Sequence, residues 1–137
     1  YAMNRYEHRQ IIEDGLNNGI VVCDRYSESN AAHQGGKLPR EQRSDFFEWC
    51  DRLEHEEFKL RRPDKTIFLH VPWEISTKMA AIRGHLDGHE SDMAHARNTE
   101  ETFLQLSNKF KWQYINCADG DHLRTISNIH EEIISLV

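Results

Sequence analysis

The stretch Arg61–Arg83, RRPDKTIFLHVPWEISTKMAAIR, contains the pattern that decides the fold. Pro63 disfavours helix at Arg62, so the helical segment that precedes it has to stop there. The apolar run TIFLHV then predicts a core strand, and Pro72 ends it. The pattern of WEISTKMAAIR predicts that a helix resumes directly afterwards. Helix, buried strand and helix in succession are typical of parallel α/β sheets.

The part of the chain before this stretch continues the alternation. Its patterns predict a helix over Ala2–Leu16, a β-branched strand, IVVCD, over 20–24, a loop over Ser27–Pro39, and a long amphipathic helix that reaches Arg61. The charged segment EHEEFKLRR at the end of that helix predicts a solvated face.

The part after the stretch ends on the same kinds of element. Its patterns predict a helix over 93–110, a third strand within KWQYINCADG, and a last helix for which Asp121 is a candidate N-cap. The resulting order, α-β-α-β-α-α-β-α, predicts an α/β fold in which helical crossovers join parallel strands. We expect a single domain over residues 1–137.

Composition and charge narrow the class of protein. The net charge of −6 argues against a nucleic-acid binder, although a few arginines can still bind a phosphorylated small molecule. No apolar run approaches the roughly 20 residues of a membrane span. Cys23, Cys50 and Cys117 are odd in number and lack paired spacing, which predicts reduced thiols in a cytoplasmic protein. Cys23 and Cys117 adjoin strand-like runs, where cysteine acts as a small apolar residue.

An acid and a base stand together where the strand IVVCD is predicted to end. Ligands of parallel α/β sheets bind beyond the carboxyl ends of the strands, so Asp24 and Arg25 are expected at such a site. A carboxylate there can hold hydrated Mg²⁺, and a guanidinium there fits a phosphate. Together they suit phosphoryl transfer. An ion pair that only closes the loop is the alternative, and the dipeptide alone does not decide between the two.

Longer motifs around this pair resemble the thymidylate kinase family, the nucleoside monophosphate kinases that phosphorylate dTMP. The motifs are YAMNRYEH at the start of the chain, GIVVCDRYSESNAAHQGG over 19–36, RPDKTIFLHVPWEI over 62–75, and HE.D over 89–92. The resemblance implies a three-layer α/β sandwich with a parallel sheet, like that of the P-loop nucleoside monophosphate kinases. It also implies ATP as co-substrate, Mg²⁺ as cofactor, and a homodimer.

The resemblance implies catalytic roles for three residues. Asp24 matches the acid that organises Mg²⁺ through water, and Arg25 matches the arginine that clamps the phosphate of the acceptor. Arg83 is the best candidate for an arginine of the lid over ATP, in a lid-like segment over 83–97. A solvated charge at a helix end is the alternative for Arg83.

The resemblance also implies residues that bind dTMP. Tyr1 takes the place of the aromatic that stacks on thymine, and Arg5 matches the arginine that reaches a carbonyl of the base. His33 stands where relatives usually have Tyr or Phe near the sugar. The residues expected around the polar edge of the base are Ser29, Asn30 and Gln34.

One motif of the family is missing from the sequence. No GxxxxGK[ST] phosphate loop occurs, and the GGK of residues 35–37 is followed by Leu38. We therefore expect the ATP-binding loop and the N-terminal strands to lie outside these residues, so the residues that bind ATP are unknown. The chain is then a fragment, the C-terminal two-thirds of a kinase, and inactive alone.

Three alternatives stay open at this point. A zinc site at His85, His89, Glu90 and His95 is less favoured than a mobile polar loop, because glycines interrupt the helix there. Another deoxynucleotide or deoxynucleoside kinase of the same superfamily is the nearest alternative enzyme. A non-catalytic α/β ligand-binding domain is the alternative from a different class.

Overall fold

The computed structural model describes residues 2–83 and 93–137. The chain divides into two compact units, Tyr1–Asp64 and Lys65–Val137. None of the helices in the described ranges is long and apolar enough to cross a bilayer. The single domain expected over residues 1–137 stays a prediction.

The first unit is helical. Its helices are α1 (Ala2–Glu7), α2 (Arg9–Leu16), α3 (Ser27–Gly35) and α4 (Arg40–Arg52), and a π-helical turn (Leu53–Glu57) continues α4. The helix predicted over Ala2–Leu16 is confirmed apart from a break at His8. The long helix predicted up to Arg61 is shorter than expected, because the π turn ends it at Glu57.

Small residues let two helices of this unit approach closely. Ala31 and Ala32 on α3 are buried, and α3 packs against α4, where Phe47 and Cys50 are buried too. Burial raises the pKa of the Cys50 thiol to about 11, so this cysteine is protonated at neutral pH. All three cysteines are free in the structure, and their reduced state in the cell stays a prediction.

The strand predicted over 20–24 is wrong. Ile20 and Val22 are 83% and 88% exposed, and Cys23 is exposed as well, so it does not act as a buried apolar residue. Within 2–83 and 93–137, no strand pairs with this segment. An extended segment without a neighbour forms no ladder and leaves its N–H and C=O groups to water, so β-branched residues alone do not make a strand here.

The loop predicted over Ser27–Pro39 is also wrong in its first part. Residues Ser27–Gly35 form α3, with the acidic Glu28 in the first turn, as the helix dipole favours. The buried residues Ser27, Ala31 and Gly35 recur at spacings of four, which is a helical face made of small side chains. Pattern analysis misses such a face because none of these residues is large and apolar.

The second unit contains the parallel sheet. Its elements are β1 (Ile67–His70), α5 (Trp73–Arg83), α6 (Met93–Phe110), β2 (Gln113–Asn116), β3 (Ala118–Asp119), β4 (His122–Leu123) and α7 (Ile126–Leu136). Strands β1 and β2 pair in parallel, with Ile67 opposite Gln113, and a helical crossover joins them. The parallel α/β prediction is therefore confirmed for this unit.

An aromatic cluster and buried aliphatic residues form the core of this unit. Phe68 of β1 stacks on Phe103 of α6 with ring centroids 5.5 Å apart, while Ile115 of β2 and Leu106 of α6 are fully buried.

The predicted cap of the last helix is wrong. Thr125 caps α7, and its hydroxyl oxygen accepts the backbone N–H of Asn128 at 3.2 Å. 

The cap shifts because a hairpin comes first. Strands β3 and β4 pair antiparallel with Asp119 opposite His122, which places Asp121 in the turn between them. Gly120 has a φ of +62°, the left-handed conformation that such a tight turn uses. 

We expect Asp51→Asn to lower the free energy of unfolding by about 0.5 kcal/mol at pH 7 and by progressively less as the pH falls below 3.8. Asp51 accepts two hydrogen bonds from Arg62, at 2.5 and 2.8 Å, and this pairing holds the pKa of the Asp51 carboxyl below its ordinary value of 3.8. A lowered pKa in the folded state stabilises the fold above pH 3.8, and the gain is lost as the pH falls through the folded pKa. Urea titrations at several pH values measure the difference. A difference that does not shrink as the pH falls below 3.8 would contradict the assignment to this ion pair.

Candidate functional site

The predicted phosphate clamp is a cluster around the guanidinium of Arg25. Its Nε donates to the hydroxyl of Ser29 at 3.3 Å, and its Nη2 donates to Nε2 of His33. Because a guanidinium only donates, Nε2 of His33 is the acceptor and carries no proton in this contact. Ser29 and His33 lie one turn apart on α3, and residue 25 precedes them by the same spacing. The structure therefore brings together three residues that the sequence analysis assigned to one site.

The backbone at Arg25 adopts an uncommon conformation. Its φ is 67°, in the left-handed region that non-glycine residues rarely adopt. This conformation turns the chain immediately before α3 begins at Ser27. Strained backbone conformations of this kind are found at ligand sites more often than elsewhere. Selection for function can retain such a conformation although it lowers the stability of the fold.

Asp24, the predicted magnesium residue, is exposed and forms no hydrogen bond or ion pair with another described residue. The ion pair between Asp24 and Arg25, the alternative for this dipeptide, is therefore not formed. A single open carboxylate suits Mg²⁺, which binds few protein oxygens and keeps most of its waters. In the described ranges, no group of three or more His, Cys, Asp or Glu side chains could hold a metal ion. The chemistry of Asp24 thus fits the outer coordination of a hydrated cation.

Arg5, the predicted base-reading residue, pairs with a buried acid. Its Nε donates to Oε2 of Glu54 at 2.8 Å, and its Nη2 donates to Oε1 of the same carboxylate. Glu54 is 1% exposed. The guanidinium of Arg5 also lies 5.9 Å from the centroid of the Tyr26 ring. The pairing uses one edge of the guanidinium, so Nη1 can still donate to a further acceptor.

The solvated face predicted for the segment EHEEFKLRR is wrong for several of its residues, including the charged Glu54. Glu54 is buried, and His55 is half-buried, with Nδ1 donating to the carbonyl of Leu60 at 3.0 Å. This bond fixes the tautomer, so Nε2 of His55 accepts from the hydroxyl of Ser27 at 3.4 Å. Both side chains turn inward because a π-helical turn changes the directions in which consecutive side chains point.

Tyr26, the residue after Arg25, lies next to Arg5. Its hydroxyl donates to the carbonyl of Arg61 at 3.2 Å, and its ring lies beside Arg5. Burial, followed by the nearby Cys23, raises the pKa of the Tyr26 hydroxyl, so Tyr26 stays neutral at physiological pH.

The remaining predicted site residues are less closely associated. Asn30 is half-buried on α3, and Gln34 is exposed, with its side-chain oxygen accepting from Nζ of Lys37 at 3.3 Å. Arg83 is the last residue of α5. His95 lies on α6, where its Nε2 is 3.4 Å from the hydroxyl of Thr99. The predicted residues that lie outside the described ranges are Tyr1, His85, His89 and Glu90.

The second unit contains a buried polar cluster that the sequence analysis missed. His70, at the carboxyl end of β1, donates from Nε2 to Oε1 of Glu100 at 2.6 Å, and its Nδ1 is 2.7 Å from the hydroxyl of Tyr114. The other oxygen of Glu100 accepts the backbone N–H of Trp73 at 3.1 Å. Burial and the Glu100 charge raise the pKa of Tyr114. The cluster ties the end of β1 to α6 and to the start of α5, and only the polar residue at the end of an apolar strand signals it in the sequence.

The fold and the site in the first unit together define a class of protein. It is an α/β protein in which the guanidinium of Arg25, held by Ser29, and the exposed carboxylate of Asp24 suit a phosphorylated ligand. The family model for thymidylate kinase matches residues 1–133. The chain belongs to the thymidylate kinase family.

Curated relatives agree with this assignment. The chain is 31% identical to the probable thymidylate kinase of Thermoplasma acidophilum over 98% of its own length and 68% of the relative. It is 29% identical to the probable thymidylate kinase of Pyrococcus abyssi over 100% of its own length and 62% of the relative. It is 34% identical to the thymidylate kinase of Ectopseudomonas mendocina over 67% of its own length and 42% of the relative. The chain thus spans about two-thirds or less of the relatives that it matches.

Proposed function

We propose that the protein transfers the γ-phosphoryl group of ATP to dTMP, giving dTDP and ADP. The observation that carries this proposal is the Arg25 guanidinium, which Ser29 and His33 hold in place in a member of the thymidylate kinase family, with the exposed Asp24 as its neighbour in sequence. Phosphoryl transfer requires little from a protein except positioning of the reactants and stabilisation of charge. A guanidinium and a carboxylate that holds Mg²⁺ supply both.

The roles follow from the chemistry of each group. Arg25 binds the phosphate of the acceptor, and the bond from Ser29 together with the contact to His33 restricts the rotamers of its long side chain. Asp24 holds Mg²⁺ through water. When bound, the metal neutralises charge on the phosphates. Arg83 at the end of α5 stabilises charge on the transferring group, as part of the lid-like segment over 83–97.

Recognition of the base follows from the polar residues of the first unit. Arg5 donates to a carbonyl of thymine while Glu54 holds the other edge of its guanidinium. Ser29, Asn30 and Gln34 meet the polar edge of the base, His33 lies near the sugar, and Tyr1 stacks on the ring. A polar pocket discriminates strongly, because a wrong base leaves its donors and acceptors unpaired.

The wider architecture is part of the same proposal. We infer a cytoplasmic homodimer whose subunits are three-layer α/β sandwiches of the P-loop nucleoside monophosphate kinase type, with further strands N-terminal to these residues. On α4, Trp49 is 50% exposed and stacks on Phe46 with ring centroids 5.8 Å apart. The exposed Trp49, with the half-buried Phe46 beside it, supports a contact with a second subunit.

The experiment is a coupled assay of ADP formation with the protein expressed from its complete gene. We expect turnover with dTMP to exceed turnover with dUMP, dAMP and thymidine. Preference for thymidine would favour a deoxynucleoside kinase instead. Binding of dTMP without any ADP formation would favour the non-catalytic ligand-binding domain.

We expect Gln34→Ala to weaken dTMP binding about tenfold and to leave ATP binding unchanged, because an amide that reads the base loses a hydrogen bond. Calorimetry with each nucleotide measures both affinities. Gln42→Ala, an exposed glutamine on α4, is the matched control and should change neither. Equal losses for dTMP and ATP would remove Gln34 from the pocket.

A further inference from the structure

We propose that Glu54 is a positioning residue for base recognition, which holds the guanidinium of Arg5 ready for the thymine carbonyl before the nucleotide arrives. The inference rests on the proposed function, because it assigns Arg5 to the base. It adds a residue to that site that the family motifs in this chain do not contain.

The contact between Glu54 and Arg5 is built to fix orientation. Two parallel N–H···O bonds join the guanidinium and the carboxylate, and such a bidentate pair sets the plane of the guanidinium as well as its position. The side chain of Glu54 is 2% exposed and that of Arg5 is 16% exposed, so water competes little for these bonds. The Tyr26 ring, 5.9 Å away, limits the guanidinium from another side.

The π-helical turn explains how the acid reaches this position. Glu54 follows directly after α4 and lies in the turn Leu53–Glu57, where the N–H of Phe58 donates to the carbonyl of Leu53 at 3.0 Å. The widened turn directs Glu54 to Arg5, and it directs the next residue, His55, to the hydroxyl of Ser27 at the start of α3. One irregular turn thus contacts both elements that carry predicted base-binding residues, and π-helical turns are frequent at functional sites.

Holding Arg5 in advance has a consequence for selectivity. An unrestrained arginine loses rotamer freedom when it binds a ligand, whereas a held arginine has already lost it on folding. Fixing Nε and Nη2 on Glu54 also leaves Nη1 to make the contact with the base, so an analogue without the matching carbonyl is rejected more strongly. Glu54 should therefore affect which base binds, and affect ATP little.

The test compares Glu54→Gln with wild type in the protein expressed from its complete gene. We expect KM for dTMP to rise about tenfold while KM for ATP stays constant. The preference for dTMP over 5-methyl-dCMP, in which an amino group replaces one carbonyl of thymine, should fall by a similar factor. Glu57→Gln, an exposed acid on the same turn, is the matched control and should behave as wild type.

Each outcome decides between the two proposals. A wild-type protein that neither binds nor phosphorylates dTMP overturns the proposed function and this inference with it. Activity of the wild type together with unchanged base preference in Glu54→Gln overturns this inference alone. If Glu54→Gln does not fold, NMR of the wild type without nucleotide decides the matter. A protected, slowly exchanging Nε–H of Arg5, identified by its loss in Arg5→Lys, supports the inference, and exchange as fast as that of exposed arginines overturns it.

Discussion

Arg25→Gly is expected to lower kcat/KM for dTMP by about 10²- to 10³-fold while changing the free energy of unfolding by less than about 1 kcal/mol. The loss of activity follows from the proposed role, because no other group in the cluster around Arg25 can replace its bidentate fork. Steady-state kinetics with dTMP and urea unfolding measure the two quantities on the same preparation.

The small effect on stability follows from the backbone. With a φ of 67°, Arg25 lies in a region that costs a non-glycine residue roughly 1–2 kcal/mol and costs glycine almost nothing. Glycine loses more entropy on folding, by roughly 0.5–1 kcal/mol, and the exposed bond to Ser29 is lost as well. These contributions have opposite signs and similar sizes, so the free energy of unfolding should change little.

Lys59→Gly is the matched control for this prediction. Lys59 has a φ of 55°, is exposed, and lies in the same unit of the chain, so glycine relieves the same backbone conformation there. Its kcat/KM should equal that of wild type. Retention of full activity by Arg25→Gly would show that the guanidinium does not contact the acceptor phosphate.

The second unit could be predicted well because its large apolar residues carry strong periodicity. The run TIFLHV contains β1, and WEISTKMAAIR coincides with α5 as Trp73–Arg83. Helix α6 occupies the predicted 93–110. In these segments local propensity and tertiary packing favour the same structure, as they do for Ile115, which is fully buried in β2.

The first unit was predicted less well because packing and not propensity decides its structure. The residues IVVCD have high strand propensity, but a strand also needs a neighbour, and among the described residues none adjoins the segment. Conversely, α3 consists of small and polar residues that suggest a loop, yet they make a helix because Ala31 and Ala32 fit against α4. The spacing of four between Ser29 and His33 places the two side chains on one face of a helix. It indicates a shared contact only once the segment is known to be helical.

The partners of the predicted site residues are the part that sequence could not supply. Resemblance identifies Arg5 and Arg25, since each lies in a motif, but Glu54 is separated from Arg5 by 49 positions and lies in a charged segment. Charged segments are usually solvated, and only the π-helical turn, which has no clear sequence signature, directs Glu54 inward. Motifs therefore identify the predicted ligand residues, whereas Glu54, which holds Arg5, is identified only by the structure.

Arg5→Ala is expected to lower the free energy of unfolding by about 3 kcal/mol at pH 7, because it leaves the Glu54 carboxylate buried without its cation. Glu54 is 1% exposed, so water cannot replace the lost partner without local opening of the fold. Urea unfolding measures the loss. Arg9→Ala is the matched control, since Arg9 is exposed, lies 4.1 Å from the Tyr6 ring centroid, and should cost less than about 1 kcal/mol.

A double variant separates the unpaired charge from lost packing. Arg5→Met with Glu54→Leu removes both charges and keeps similar side-chain volumes, and apolar replacements of buried ion pairs are often neutral or stabilising. We therefore expect the double variant to recover most of the stability that Arg5→Ala loses. A double variant as unstable as Arg5→Ala would mean that the aliphatic part of Arg5, and not its charge, stabilises the first unit. Recovery of stability without recovery of dTMP binding would show that the ion pair is retained for recognition of the ligand and not for the fold.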